Sequence, residues 1–305
     1  MSRFTARSVR LLADARRLLQ GAALGGLGVL ALSGTALAAP PVWHLEEPGG
    51  GKITLFGSVH LLSDATQWRN PALTADLAGA GAVWFEIPID ATAQAEAGQL
   101  ALQKGLLPEG QTLSTVLPHD LYVRTLAVAQ REGLPEAALQ RMRPWMAELT
   151  LSLLYFQKQG ARADLGVEEQ LSAAAPHDAD RGAFETVAGQ IDLFADDPLP
   201  EQIASLSETL DEIGKDPDIF GRLARAWVDG DVQRIEHEAL EPMKREDAAL
   251  YDRLIVARNR RFAARIAQLA QQGRNVFVVV GVGHLVGADG VPALLRHDGF
   301  KVDGP

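Results

Sequence analysis

The sequence predicts an α/β fold: a central mixed sheet from N- and C-terminal strands, with a largely helical middle insertion. Three observations carry this. Apolar runs too short for helices lie near both ends of the chain: Ile53-Thr54-Leu55-Phe56 and residues 82–87 at one, Val276-Phe277-Val278-Val279-Val280 at the other. Residues 91–157 and 187–270, between them, show helical spacing broken by Pro and Gly. The first and last apolar runs each lead straight into Gly-x-x-His, as Gly57-Ser58-Val59-His60 and Gly281-Val282-Gly283-His284. A histidine just past a buried strand stands where open α/β sheets keep their sites, at the carboxyl ends of the strands.

The elements follow in order. A first strand falls around 42–45, and Gly49-Gly50-Gly51 turns the chain back into a strand at 52–56. Pro71 opens a helix over 71–80. Ala82-Val83-Trp84-Phe85-Glu86-Ile87 is a buried strand stopped by Pro88. Ala and Gln dominate a helical stretch at 91–103, and Pro118 and Asp120 open a helix to about Glu132. Pro144 opens another through Lys158, with Trp145, Leu149, Leu153 and Phe156 at helical spacing and Gly160 as its end. Gly166-Val167-Glu168-Glu169 leads into a short helix to Ala175, and Phe184-Glu185-Thr186 ends a further strand. A helix over 246–271 sets Leu250, Leu254, Phe262, Ile266 and Leu269 on one face. A strand at 275–280, a helix at 291–296 and a short strand at 300–303 complete the chain. Strands from both termini have to pair, so residues 39–305 are read as a single domain.

Composition narrows the function. The 305 residues are 47% hydrophobic and carry a net charge of −10. The first 38 residues are net positive, with Arg3, Arg7, Arg10, Arg16 and Arg17 against one acid, Asp14, which leaves the remainder at −14. So acidic a body argues against nucleic acid or an anionic membrane surface as the main partner. That leader continues as an uncharged apolar stretch and ends in Ala36-Leu37-Ala38, a small-x-small cleavage pattern. Residues 1–38 are read as a signal peptide cleaved after Ala38. The product is then periplasmic or secreted, with no stable membrane insertion, although the stretch is long enough for an uncleaved anchor. The chain has no cysteine, which removes disulfides, thiol chemistry and Cys-type zinc sites.

His60 and His284 are the first candidate site residues, as neutral metal ligands or as a general base. Their structural alternative is a strand-end histidine bonded to backbone. Glu86 ends a buried strand, where a carboxylate needs a partner. It is read as a metal ligand or general base, and a salt bridge to an arginine of the 246–271 helix is the alternative. Ser58 lacks the Gly-x-Ser-x-Gly surroundings of a serine nucleophile.

These segments, in this order, resemble the TraB/GumN family, which is related to the TIKI metalloproteases and more distantly to erythromycin-esterase-like and ChaN-like proteins. The matching residues are Gly57-x-x-His60, Phe85-Glu86, Gly166-Val167-Glu168, Phe184-Glu185-Thr186 with Gln190, Trp227-x-x-Gly230-Asp231, Arg258-Asn259, and Gly281 to Gly287. In this chain Val167-Glu168 stands where many relatives carry an apolar residue and Asp. The resemblance implies that both Gly-x-x-His motifs face one cleft with a hydrolase-like site. It adds Glu168 and Glu185 as carboxylates, with surface charge as the alternative for both. It also adds Arg258, for a developing oxyanion or a substrate carboxylate, with Asn259 orienting it and plain solvation of an arginine-rich helix as the alternative. His60, His284, Glu86 and Glu185 form the expected ligand set for a divalent ion such as Mn, Co or Zn; Glu86 or Glu168 activates the water and Arg258 completes the catalytic set. The expected substrate is a peptide or a small-molecule ester. Two rival readings stand beside this one: a metal-free, esterase-like hydrolase using His and Glu, and a non-catalytic envelope protein that sequesters a peptide or aids polysaccharide export.

Overall fold

The computed structural model describes residues 39–46, 50–63, 66–213, 215 and 218–305; the expected signal peptide, 1–38, lies outside them. The strands are β1 (Val42–Glu46), β2 (Lys52–Ser58), β3 (Ala82–Phe85), β4 (Asp180–Ala183), β5 (Val276–Gly281) and β6 (Val302–Asp303). They form one mixed sheet in the order β4-β3-β5-β2-β1-β6. β4, β3, β5 and β2 run parallel, while β1 pairs antiparallel with both β2 and β6. The Val-rich β5, buried along almost its whole length, lies between β3 and β2, as a continuous apolar run requires. The expected mixed sheet from both termini is therefore present.

Helices α1 (Pro71–Ala78), α2 (Ala91–Gly105), α3 (Leu113–Val116), α4 (His119–Glu132), α5 (Glu136–Leu139) and α6 (Pro144–Lys158) precede or follow β3. Next come α7 (Val167–Ala174), α8 (Val187–Ala195), α9 (Leu199–Glu212), α10 (Ile219–Val228) and α11 (Val232–Ile235). The last are α12 (Glu241–Glu246), α13 (Ala248–Tyr251), α14 (Ala257–Ala270) and α15 (Val291–His297). No helix among the described residues is long and apolar enough to cross a membrane.

Two apolar clusters hold these layers. One surrounds the sheet, where Phe56, Trp68 and Trp227 pack ring on ring at 5.7–6.2 Å and the Trp227 indole donates to the Gly57 carbonyl at 2.7 Å. The other lies within the helical middle and includes the fully buried Leu113, Leu139, Leu151 and Leu206.

Two helical expectations need correction. The helix expected over 246–271 is interrupted. Asp247 caps α13 by accepting from the Leu250 N–H, a role Asp prefers to a helix interior. A π-turn at Asp252–Val256 then inserts a residue ahead of α14. Around it Leu250, Tyr251 and Ile255 are buried, and Leu254 is only half-buried. On α6, Leu149 and Leu153 are 40% and 39% exposed, and the buried face is Trp145, Ala147, Glu148 and Leu151. The phase is set by a polar contact that periodicity does not register. Buried Glu148 accepts from Ser205 Oγ at 2.9 Å and Thr209 Oγ1 at 3.0 Å, both on α9.

Burial pushes the Glu148 carboxyl up to about 8 despite the two hydroxyl donors. A raised carboxyl binds its proton more tightly when folded, so stability should fall as pH rises from about 4.5 to about 8. Urea unfolding across that window should show the fall in the wild type and a flatter profile in Glu148→Gln.

Candidate active site

All four parallel strands deliver polar groups to one edge of the sheet. His60 lies just past β2, Glu86 follows β3, Glu185 lies just past β4, and His284 follows β5. The two Gly-x-x-His motifs are not in register. Gly57 pairs with Val280 and Ser58 with Gly281, so the motifs are staggered by one residue on adjacent strands. A one-residue stagger sends equivalent side chains to different environments. His284 is buried at 5% exposure; the His60 side chain is 73% exposed.

Close backbone approach explains the glycines. A Cβ on Gly57 would meet Val282 at 2.9–3.1 Å, and one on Gly166 would meet the His60 carbonyl oxygen at 2.6 Å. Gly166 thus lets the start of α7 close on β2's exit, where the Val167 N–H donates to the Val59 carbonyl at 3.1 Å. That contact places Glu168 beside His60.

Behind the edge is a buried ion network. The Glu185 N–H donates to the Glu86 carbonyl, so two carboxylates project from neighbouring strand ends. Like charges placed so need a cation between them. Arg258 supplies it: Nη2 donates to Glu86 Oε2 at 2.6 Å and to Glu185 Oε2 at 2.8 Å, and Nε donates to both Glu185 oxygens at 2.9 and 3.1 Å. Arg261 adds a contact to Glu185 at 3.1 Å. Glu86 also accepts from the Gly281 N–H at 2.6 Å and from Gln190 Nε2 at 3.0 Å. Burial would raise the Glu86 carboxyl, but His284, charged at the low pH where Glu86 titrates, and Arg258 hold it down to about 2.

The same network fixes the state of His284. Asn259 Nδ2 donates to the Asp289 carbonyl at 2.7 Å, which turns its Oδ1 towards His284 Nδ1 at 2.6 Å. Nδ1 therefore carries the proton, and Nε2 accepts from Arg258 Nη1 at 2.9 Å. Burial, with Arg258 adding to it, pushes His284 down to about 4, so it is neutral at physiological pH.

His60 is its opposite. Its Nδ1 meets Glu168 Oε1 at 2.8 Å, and that oxygen also accepts from Ser58 Oγ at 2.5 Å. The Glu168 charge raises His60 to about 9, and solvent at the exposed ring moderates the rise. Glu168 is lowered: burial opposes ionisation, and His60 and Ser58 outweigh it. His60, Glu86, Glu168 and Gln190 line one cavity of about 380 Å³, closed on its apolar side by Ile87, Pro88, Ile89, Ala93 and Ala97.

The six residues singled out in the sequence thus gather at one edge, in roles that differ from those expected. Glu168 lies in the first turn of α7, at the start of the expected short helix. Glu86 makes the arginine salt bridge that was its structural alternative, and still faces the cavity. Arg258 is buried behind Glu86, and Asn259 orients His284 instead of Arg258. Nor do His60, His284, Glu86 and Glu185 fit the expected metal. Arg258 takes oxygens of both glutamates and the His284 Nε2 lone pair, and Gly281 takes the other Glu86 oxygen. Among the described residues no group of three or more His, Cys, Asp or Glu is arranged to hold a metal ion. The supporting roles of Ser58 and Gly166 escaped the sequence reading, because each depends on a contact between distant segments. The nearest signal was Gly166 itself, standing just ahead of a helix start.

Arg258→Ala would leave buried Glu86 without its arginine and Glu185 with only the exposed Arg261, and should cost about 3–5 kcal/mol in urea unfolding. Arg258→Lys should recover only part of this, since an ammonium cannot span both carboxylates in a planar fork. A loss below about 1 kcal/mol for the alanine variant would contradict the network as described.

Comparison with curated proteins and with solved structures found no match. A sequence model described as the TraB/PrgY/gumN family matches residues 41–304, which takes in every strand and every site residue named above. The chain belongs to the TraB/PrgY/gumN family.

Proposed function

We propose that this family member is an exported hydrolase that cleaves an ester or amide bond by attack of water, with His60 as general base. The observation that carries the reading is the His60–Glu168 pair. One ring nitrogen is anchored on a carboxylate at 2.8 Å while the rest of the ring opens onto a cavity. Anchoring Nδ1 leaves Nε2 to take a proton from water, the division of labour that a carboxylate imposes on a catalytic histidine. The water oxygen bonds to the carbonyl carbon as its proton passes to Nε2. The bond to the leaving oxygen or nitrogen then breaks, and that atom takes the proton back. Glu86, ionised throughout the physiological range, faces the same cavity as an acceptor that holds the water. Arg258 and Gly281 position Glu86 and stay out of the reaction. Export rests on the Arg-rich, apolar residues 1–38.

Glu168 stabilises the imidazolium, so His60 has to lose its proton before it acts as a base. In the wild type kcat/KM should therefore rise with pH into the alkaline range. In Glu168→Gln the imidazolium loses its partner and the inflection should move to lower pH, towards the ordinary histidine value. His60→Ala should lower the rate about 10²–10⁴-fold, the usual worth of general-base catalysis. These are read on purified residues 39–305 with a panel of neutral esters and short peptides, with and without chelator. Loss of activity on chelation would restore the metal-assisted reading. Ligand capture without turnover would support the binding-protein reading.

A further inference from the structure

The cavity's charges balance in pairs, with one exception. Glu86 is matched by Arg258, and Glu168 by His60. Glu169, the next residue of α7, lines the same cavity and accepts only from a neutral amide, Gln94 Nε2 on α2, at 2.9 Å. Among the described residues no Lys, Arg or His forms an ion pair with it, and no lysine or arginine lines the cavity. The wall beside Gln94 is apolar, with Ala93 and Ala97 one turn apart on α2 and Ile87 and Ile89 on the preceding loop. Gln94 thus offers Glu169 a neutral N–H donor where a charged one would bind more strongly.

We infer that Glu169 is a specificity determinant that selects substrates carrying an ammonium group beside an apolar segment. The apolar segment packs on the α2 wall, and the ammonium displaces the Gln94 amide from Glu169. Anionic substrates are disfavoured, because they bring charge to a mouth that already carries an unmatched carboxylate. His60's loss of its proton, which the reaction requires, makes the mouth more negative and strengthens the preference. The inference rests on the hydrolase reading for its place in the reaction, but the selection itself is a property of binding.

The test therefore has two arms. In the first, butylammonium and butyrate, matched in their apolar part, are titrated by calorimetry into residues 39–305 and into the Glu169→Gln variant. The expected result is binding of the cation at least about tenfold tighter than the anion, a ratio that collapses towards one in the variant and shrinks with added salt. Equal affinities, tighter binding of butyrate, or a ratio unchanged in Glu169→Gln would overturn the inference. In the second arm, nitrophenyl esters of a neutral, an ω-amino and an ω-carboxy acyl chain of equal length are compared by kcat/KM. Preference in the order cationic, neutral, anionic supports the inference. A flat series with turnover that depends on His60 overturns it while the hydrolase reading stands. Selective binding in the first arm without any turnover would leave the selection in place and remove the hydrolase reading.

Discussion

Burial of the Arg258 guanidinium between Glu86 and Glu185 is the constraint on which the rest of the site depends. Parallel strands β3 and β4 end side by side, and each is followed by a glutamate within a few residues of its end. Ionised and unpaired, the two would push the strand ends apart; paired with one planar cation, they tie β3, β4 and α14 together. The cation has consequences beyond neutralisation. Burial keeps the His284 ring neutral, an Arg258 N–H to its Nε2 adds to this, and Asn259 holds the proton on the other nitrogen. A network of several charge-assisted hydrogen bonds is rigid, and rigidity here means that Glu86 presents a fixed charge to the cavity.

The exposed half of the site follows a different logic. His60 belongs to a loop that β2 releases at Ser58, and it is steadied from outside the sheet by the first turn of α7. Gly166 sets the distance between them. One histidine is thus buried, neutral and structural, while the other is solvent-facing and charged by its neighbour. The two environments thus drive two similar groups apart in pKa.

Much of this was legible in the sequence. Strands β2, β3 and β5 are apolar runs of the right length, while β4, Asp-Arg-Gly-Ala, carries no such signal; Pro and Gly mark helix ends at their true places, as at Pro71, Pro144 and Gly160. The candidate side chains were legible too, because an acid or a histidine at the end of a buried run has little reason to be there unless it is paired or working. Their roles were not. The two Gly-x-x-His motifs look equivalent in the sequence, and only the one-residue stagger between β2 and β5 makes them unlike. The pairing of Arg258 with Glu86 spans 172 residues, and no local pattern encodes it. Apolar periodicity failed on α6 and ahead of α14 for a related reason. A carboxyl satisfied by two hydroxyls, and a π-turn that shifts the phase, are both invisible to a search for apolar faces.

The most direct test of the central claim, that one edge of the sheet holds two histidines in opposite states, is a pH titration of their ring nitrogens by NMR. His60 should titrate well above 6.5, and His284 should keep a proton on Nδ1 alone until the pH falls to about 4. Two rings titrating together near the ordinary histidine value would contradict it.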